Sequence, residues 1–306
     1  MDKLTKEEYY NLDDAKAPVM MSKTIRRIIK EENWAAANAA MPLAVPRVSF
    51  YTKHGKRILD IFLSFFALLI TLPVNLFLLI CTFFDVGRPV FFSQERIGKD
   101  MKPFVLTKFR NMNNKTNEHG EPLPAYMRVT RFGSFVRRTS LDELLNFWSI
   151  FKGDMSVIGP RPLPQPYIYS MTERHRQRYL LRPGLECPDL HPEADRTWSS
   201  QFDNDVWYLE NVSLRTDIKL FFALVKAVFD RKSTAIRGNA QRGSFMGYEK
   251  DGSSIVSRMI PIQYVKKAQV IYDSDERDEF TAFSYMCDIE SKSEAPNEAD
   301  FAAVNV

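Results

Sequence analysis

The strongest pattern along the chain is an almost unbroken apolar run, "ILDIFLSFFALLITLPVNLFLLICTFF", from Ile58 to Phe84. A helix needs about 20 apolar residues to cross a hydrocarbon core of about 30 Å, and this run is longer than that. It is interrupted at Thr71-Leu72-Pro73, where proline removes a backbone N–H and clashes with the preceding turn. Asn75 adds a polar side chain close by. Cations flank both ends: Arg47, Lys53, Lys56 and Arg57 come before it, and Arg88, Arg96 and Lys99 after it. Because positive residues favour the cytoplasmic side, the pattern predicts a re-entrant helix that enters, breaks at Pro73 and returns. A straight span with a proline kink is the plainer alternative.

Around this run the periodicity is weaker. Residues Thr24 to Ala40 read as a helix closed by Pro42 and Pro46. "PVFFSQERIGKDMKPFVLTKFRNM" reads as a β-hairpin turning at Gly98-Lys99-Asp100, with two apolar-aromatic runs about a short turn. "NNKTNEHGEPLP" is polar and predicts a mobile loop, and "GDMSVIGPRP" (Gly153–Pro162) predicts an ordered one. "YIYSMTERHRQRYLLRPG" predicts a helix whose mixed arginines and aromatics suit a membrane surface or, equally, an ordinary solvated face. Residues 218–229 predict a short apolar helix that lies in an interface or a core. Beyond residue 232 the apolar density falls; strands are expected at Ile260–Tyr264 and Ala268–Tyr272, before an acidic, disordered tail. The expected fold is α+β and mainly helical, with a Pro-broken re-entrant membrane helix, interfacial amphipathic helices and a small β-hairpin. Its segments are a polar lead (1–46), the membrane helix (47–86), a main body (87–232) and a partly disordered extension (233–306).

Composition excludes more than it identifies. The chain has 306 residues and a net charge of +4, too small for whole-chain basicity to point to nucleic acid. The arginines are dispersed, with no helix-turn-helix or RNA-binding signature. Three cysteines, Cys81, Cys187 and Cys287, are far apart, which fits a reducing compartment and no disulfide framework. The polar opening residues do not read as a signal peptide. No phosphate-binding glycine loop, HExxH motif or paired CxxC occurs.

The one stretch with two readings is "RRTSLDELLNFW" (Arg137–Trp148). Ser140 and Glu143 have the spacing of a capping box, in which both side chains satisfy free N–H groups at a helix start. Leu141, Leu144, Leu145, Trp148 and Phe151 recur at helical spacing, leaving Asp142 and Glu143 off the apolar face and accessible. Adjacent carboxylates could equally carry chemistry, and the local spacing leaves both readings open.

Several motifs then line up in order: "KRILD" before the broken apolar run, "FFSQERIG", "LTKFRNM", "RRTSLDELLNFWSIFKGDMSVIGPRP", "RPG" and "DVWYLENVSLRTDIKLF". In this order the chain resembles the bacterial sugar transferase family, the monotopic phosphoglycosyl transferases, from about Lys56 to Asp230. The resemblance implies a monotopic protein at the cytoplasmic face of the bacterial inner membrane, with residues 87–232 as its catalytic domain. It implies transfer of a sugar-1-phosphate from a UDP-sugar to polyprenyl phosphate, with release of UMP, at the start of capsule, exopolysaccharide or O-antigen synthesis.

The resemblance further implies roles for single residues. Asp142 becomes the nucleophile and Glu143 its neighbour, holding Mg²⁺. Lys108 joins the catalytic set, and Arg110, Arg137, Arg138 and Arg161 supply positive charge to substrate phosphates. Lys108 and Arg110 occupy alternating strand positions and so share a face, which without the resemblance reads as an ordinary exposed basic strand face. Asp154 is either a supporting or a turn residue, and His175 and His191 default to the surface. After "RPG" the family continues with a threonine-glycine pair, whereas this chain has Glu186, Cys187 and Pro188. That departure, with the extension, motivates an alternative: a catalytically silent membrane scaffold of a glycan assembly complex. Association with a second copy or with downstream glycosyltransferases belongs to the same expectation.

Overall fold

The computed structural model describes residues 17–116, 123, 125–188, 197–229, 243–257 and 259–273. In chain order its elements begin with helices α1 (Ala17–Ala39) and α2 (Lys56–Val86), strands β1 (Phe91–Ile97) and β2 (Pro103–Phe109), and helices α3 (Ala125–Arg128), α4 (Arg131–Arg138) and α5 (Asn146–Lys152). Strand β3 (Ser156–Ile158), helices α6 (Pro166–Ser170) and α7 (Glu173–Arg176), strand β4 (Gly184–Glu186) and helices α8 (Trp198–Asn211) and α9 (Leu214–Phe229) follow. Strands β5 (Phe245–Tyr248) and β6 (Ser254–Val256) and helix α10 (Ile262–Asp273) complete it. Among the described residues the fold is mostly helical with three two-stranded sheets. These residues fall into two compact units, one from the described residues of 17–40 and 243–273, the other from those of 41–229.

The first unit joins α1 to the last described elements, β5, β6 and α10. Ile25, Ile28 and Ile29 of α1 bury against Met246, Ile255, Ile260, Tyr264, Val265 and Ala268. The last four recur at helical spacing, so the segment expected as two strands folds as α10, while the strands lie earlier, at β5 and β6. Asn33 locks the packing by donating from Nδ2 to the Tyr248 carbonyl and to Tyr264 Oη, each at 2.8 Å. Gly247 allows the close approach: its φ is +150°, and a Cβ there would lie 2.6 Å from Ile29. The expected disordered tail and His191 lie outside the described residues, as does most of the polar loop expected at 113–124.

In the second unit α2 dominates. Tyr51–Val86, a π-helical turn continued by α2, is long and apolar enough to cross a membrane, and only 11% of its apolar window is buried. One continuous helix runs past Pro73. Phe62, Ile70, Leu72 and Phe77 stand exposed along it, while Asp60, Ser64, Leu78 and Thr82 are buried. A buried polar group on so apolar a helix must find partners, and those of α2 do so at both flanks. Asp60 Oδ1 accepts from Ser156 Oγ and the Val157 amide at 3.0 Å each. Arg57 donates to the carbonyls of Ile150 and Phe151 at 2.6 and 2.7 Å, covering the end of α5. At the far end Arg110 donates to the carbonyls of Val86 and Gly87, and Thr130 Oγ1 donates to Asp85 Oδ2 at 2.5 Å.

The hairpin forms as its pattern predicts, β1 and β2 pairing antiparallel from Phe91↔Phe109 to Ile97↔Pro103. "GDMSVIGPRP" is more ordered than a loop, because β3 pairs in parallel with β4. The single helix expected over "YIYSMTERHRQRYLLRPG" is instead α6, α7 and a 3₁₀ turn at Gln177–Leu180. The chain leaves α6 at Met171, whose backbone is extended, and Thr172 caps a new start by accepting from the His175 amide. His175 is fully buried, not at the surface, and its Nε2 lies 3.0 Å from Asp203 Oδ1. The expected helix at 218–229 is the body of α9, which exposes Leu214, Ile218, Phe221, Phe222 and Val225, an apolar stripe at helical spacing.

The costliest group in this core is Arg178. Its side chain is 1% exposed and pairs with the equally buried Asp205 at 2.9 Å. Its guanidinium also lies 5.4 Å from the ring centroids of both Tyr179 and Phe202. Removing one partner of a buried pair strands the other charge, at a cost of about 3–5 kcal/mol, whereas replacing both by apolar groups costs far less. Asp205→Ala is therefore expected to lower the melting temperature of the detergent-purified protein sharply. Arg178→Met with Asp205→Leu is expected to recover much of that loss.

Candidate active site

The segment carrying Asp142 and Glu143 folds differently from a capped helix. Ser140 adopts φ 56°, ψ 21°, a left-handed conformation, and its side chain caps nothing. A single 3₁₀ turn, Leu141–Glu143, follows, and α5 starts only at Asn146. A non-glycine residue held in this backbone region carries strain that its surroundings must offset. Here the surroundings are Leu141, Leu144 and Leu145, which pack on the cluster of Leu78, Phe109 and Val136. The left-handed residue turns the two carboxylates inward, so Asp142 is only 8% exposed rather than accessible.

Each carboxylate has its own partners. Glu143 Oε1 lies 2.5 Å from Lys108 Nζ and 3.3 Å from Arg161 Nη2. Asp142 Oδ2 accepts from Asn111 Nδ2 at 3.1 Å. Their acidities diverge accordingly. Burial pushes the Asp142 carboxyl up, the neighbouring Glu143 charge adds to this, and Lys108 and Arg137 only partly oppose it. Burial acts on Glu143 in the same direction, but the charges and hydrogen bonds of Arg161 and Lys108 outweigh it and hold that carboxyl below its ordinary range.

The other expected site residues are spread more widely. Lys108, near the end of β2, reaches Glu143 as described. Arg110 lies past the last residue of β2, so strand alternation no longer governs it. Its guanidinium covers the end of α2 and stands apart from the carboxylates. Arg137 and Arg138 are exposed in the last turn of α4; Arg137 acts on Asp142 through its charge, and Arg138 has no contact with either carboxylate among the described residues. Asp154 pairs with Lys152 at 2.7 Å beside the Gly153 turn. Asn111 escapes the sequence reading, and Glu186 enters it only as a departure from the family pattern. Asn111 follows "KFR" directly, but an amide after a basic strand carries no distinctive pattern. Glu186, at the end of β4, lies 3.5 Å from Arg161 Nη1, a contact created by the β3–β4 pairing. Cys187 beside it is buried, which pushes its thiol well up and makes it inert.

Among the described residues no group of three or more His, Cys, Asp or Glu assembles. A cation with many protein ligands is therefore not built here. Two adjacent carboxylates do fit an ion such as Mg²⁺, which takes oxygen ligands and is commonly held by one or two carboxylates plus substrate phosphates.

The divergent acidities have opposite consequences for stability. A carboxyl with a raised folded pKa contributes stability below its unfolded value, about 3.9 for aspartate, and loses it as pH rises through the folded value. Asp142→Asn is therefore expected to raise the melting temperature at pH 7.5, the gain shrinking towards pH 4. Glu143 has the opposite sign: its stabilisation is present above about 4.3 and is lost as pH falls through its lower folded value. Glu143→Gln is expected to lower the melting temperature at pH 7.5 and to lose its effect in acid.

Comparison with known proteins now bears on this arrangement. The family model described as bacterial sugar transferase matches residues 51–231, which include both carboxylates, the hairpin and α2. The uncharacterized sugar transferase EpsL of Bacillus subtilis is 36% identical over 174 residues, covering 56% of this chain and 86% of that protein. The exopolysaccharide production protein PSS of Rhizobium leguminosarum is 31% identical over 191 residues, 58% of this chain and 96% of its own. The UDP-glucose:undecaprenyl-phosphate glucose-1-phosphate transferase of Klebsiella pneumoniae is 33% identical over 193 residues, but the match spans only 41% of its length. With more than half of its residues matched by the family model and nearly the whole of two relatives covered, the chain belongs to the bacterial sugar transferase family.

Proposed function

We propose that the protein transfers a sugar-1-phosphate from a UDP-sugar to polyprenyl (undecaprenyl) phosphate, releasing UMP, through an aspartyl-phosphosugar. The observation that carries this reading is the separation of two neighbouring carboxylates into two environments. Asp142 is buried, with Oδ2 held by Asn111; Glu143 is tied to two cations. A pair of titratable groups pushed apart in acidity marks a division of roles. Relatives in Klebsiella and Xanthomonas are named for glucose-1-phosphate transfer to undecaprenyl phosphate, and the Rhizobium relative for exopolysaccharide production, which supports initiation of a surface glycan.

In this reading Asp142 Oδ1, the oxygen not held by Asn111, attacks the phosphorus that carries the sugar. The bond to the UMP oxygen breaks and an acyl phosphate forms, dividing one transfer into two easier steps. A phosphate oxygen of the polyprenol then attacks the same phosphorus, and Asp142 is regenerated as a carboxylate. Burial favours the first step, since a carboxylate with a raised pKa is the stronger nucleophile. Lys108 and Arg161 lessen the repulsion between an anionic nucleophile and an anionic diphosphate. Glu143, whose Oε2 lies outside its contacts with those cations, is the residue to hold Mg²⁺. When bound, that ion neutralises charge on the diphosphate oxygens.

The same reading assigns α2 a re-entrant course, with the protein on the cytoplasmic face of the inner membrane. A straight helix of this length extends about 46 Å, so its ends would lie on opposite sides of a bilayer. Support for re-entrance comes from α5, which is only about 10 Å long. Phe151 near its end meets Phe65 of one flank, and Leu145 before its start packs in the cluster of Leu78 on the other. Exposed Ile70 and Leu72 near Pro73 then form the apolar apex.

The test is UMP release by protein in detergent or lipid, supplied with undecaprenyl phosphate, Mg²⁺ and a panel of UDP-sugars. Release is expected to require both lipid and metal, to stop on chelation, and to fall by about a thousandfold or more in Asp142→Asn. Activity surviving in that variant removes Asp142 from the nucleophile's role. Silence of the folded wild type across the panel overturns the transferase reading.

A further inference from the structure

Arg161 stands between two carboxylates. Its Nη2 lies 3.3 Å from Glu143 Oε1 and its Nη1 3.5 Å from Glu186 Oε2. A guanidinium grips a phosphate best with both amino groups at once, as a planar fork. Here the two arms of the fork are divided between two anions, and a diphosphate must displace at least one of them. Lys108 is the firmer of the two cations, at 2.5 Å from Glu143. Arg161, with longer contacts and a side chain 44% exposed, is the one an incoming donor can take.

Neither backbone is free to relieve this competition. The Arg161 carbonyl accepts from the buried Arg178 at 2.8 Å, and Pro160 and Pro162 stiffen the chain on either side. Glu186 ends β4, in register with Ile158 of β3. The two strands meet through glycines: a Cβ on Gly184 would lie 2.2 Å from the Gly159 nitrogen. Glu186 therefore keeps its carboxylate beside Arg161 because the strand pairing holds it there.

Resting on the transferase reading, we propose that Glu186 sets the affinity for the donor by competing with its diphosphate for Arg161. Glu186 acts through Arg161 and is a positioning residue without a part in bond making. Donor binding exchanges the Arg161–Glu186 contact for an Arg161–phosphate contact and leaves the Glu186 charge facing an anionic ligand. The effect falls on the phosphate chain and spares the uridine.

The test measures binding of UDP and, separately, of uridine to the full-length protein, comparing wild type, Glu186→Gln and Glu186→Asp. Melting curves establish that each variant is folded. Glu186→Gln is expected to bind UDP about three- to fivefold more tightly, the range of one partly exposed ion pair. Glu186→Asp, still charged but shorter, is expected to fall between it and wild type, and uridine affinity is expected to stay constant. In the UMP-release assay KM for the UDP-sugar falls by the same factor, with no loss of kcat. Unchanged or weaker UDP binding overturns the proposal, as does a fall in kcat at constant KM. Absence of UDP binding in every protein overturns it as well, and wild-type UMP release in the same preparation then tells whether the donor reading falls with it.

Discussion

Everything at this site depends on how negative charge is kept next to negative charge. Asp142 and Glu143 are consecutive, and both are at least partly withdrawn from water, where like charges repel more strongly than in solvent. The chain resolves the conflict by giving the cations to one member. Lys108 and Arg161 hold Glu143 as an anion, and that fixed anion then helps push the Asp142 carboxyl up. Asn111 orients Asp142 without adding charge. A second lysine in place of Asn111 would hold the Asp142 carboxyl down, and loss of Lys108 would blur the distinction between the two carboxyls.

This arrangement needs rigid support, and much of the second unit supplies it. Lys108 comes from a strand whose partner fixes its register, Phe92↔Lys108. Arg161 is tethered through its carbonyl by Arg178, and the β3–β4 pair brings Glu186 alongside. The same body grips α2 at both flanks, so the long apolar helix and the carboxylate turn share one packing cluster, Leu141 and Leu144 packing against Leu78, Phe109 and Val136. On the proposed transferase reading, a lipid-borne acceptor would reach a site whose depth is set by α2.

The sequence disclosed some of this and concealed the rest for identifiable reasons. The apolar run and the hairpin were legible because long uniform patterns survive tertiary context. The capping box read at Ser140 does not form, because Lys108 and Arg161 draw the Glu143 side chain away from the helix start. Arg110 looked like a partner of Lys108, but β2 ends at Phe109 and the arginine satisfies carbonyls at the end of α2 instead. His175 was hidden in a run of arginines that reads as surface, although its ring is buried against Phe202. Asn111 was beyond reach and Glu186 was visible only as a departure from the family pattern, since their roles arise from contacts between segments distant along the chain.

The two residues that local pattern could not assign, Asn111 and Glu186, are also those that distinguish a tuned site from a generic one. A pair of carboxylates with cations nearby is enough to bind a phosphate ligand. Making one carboxylate attack requires that one of its oxygens be held by a neutral donor while the other stays available. Letting product leave requires that the cations not hold phosphate too firmly. A carboxylate stationed on the far arm of Arg161 meets that second requirement at a modest energetic cost, because the pair is partly exposed and loosely spaced. On the proposed transferase reading, affinity for the donor is then limited by a contact made before the donor arrives.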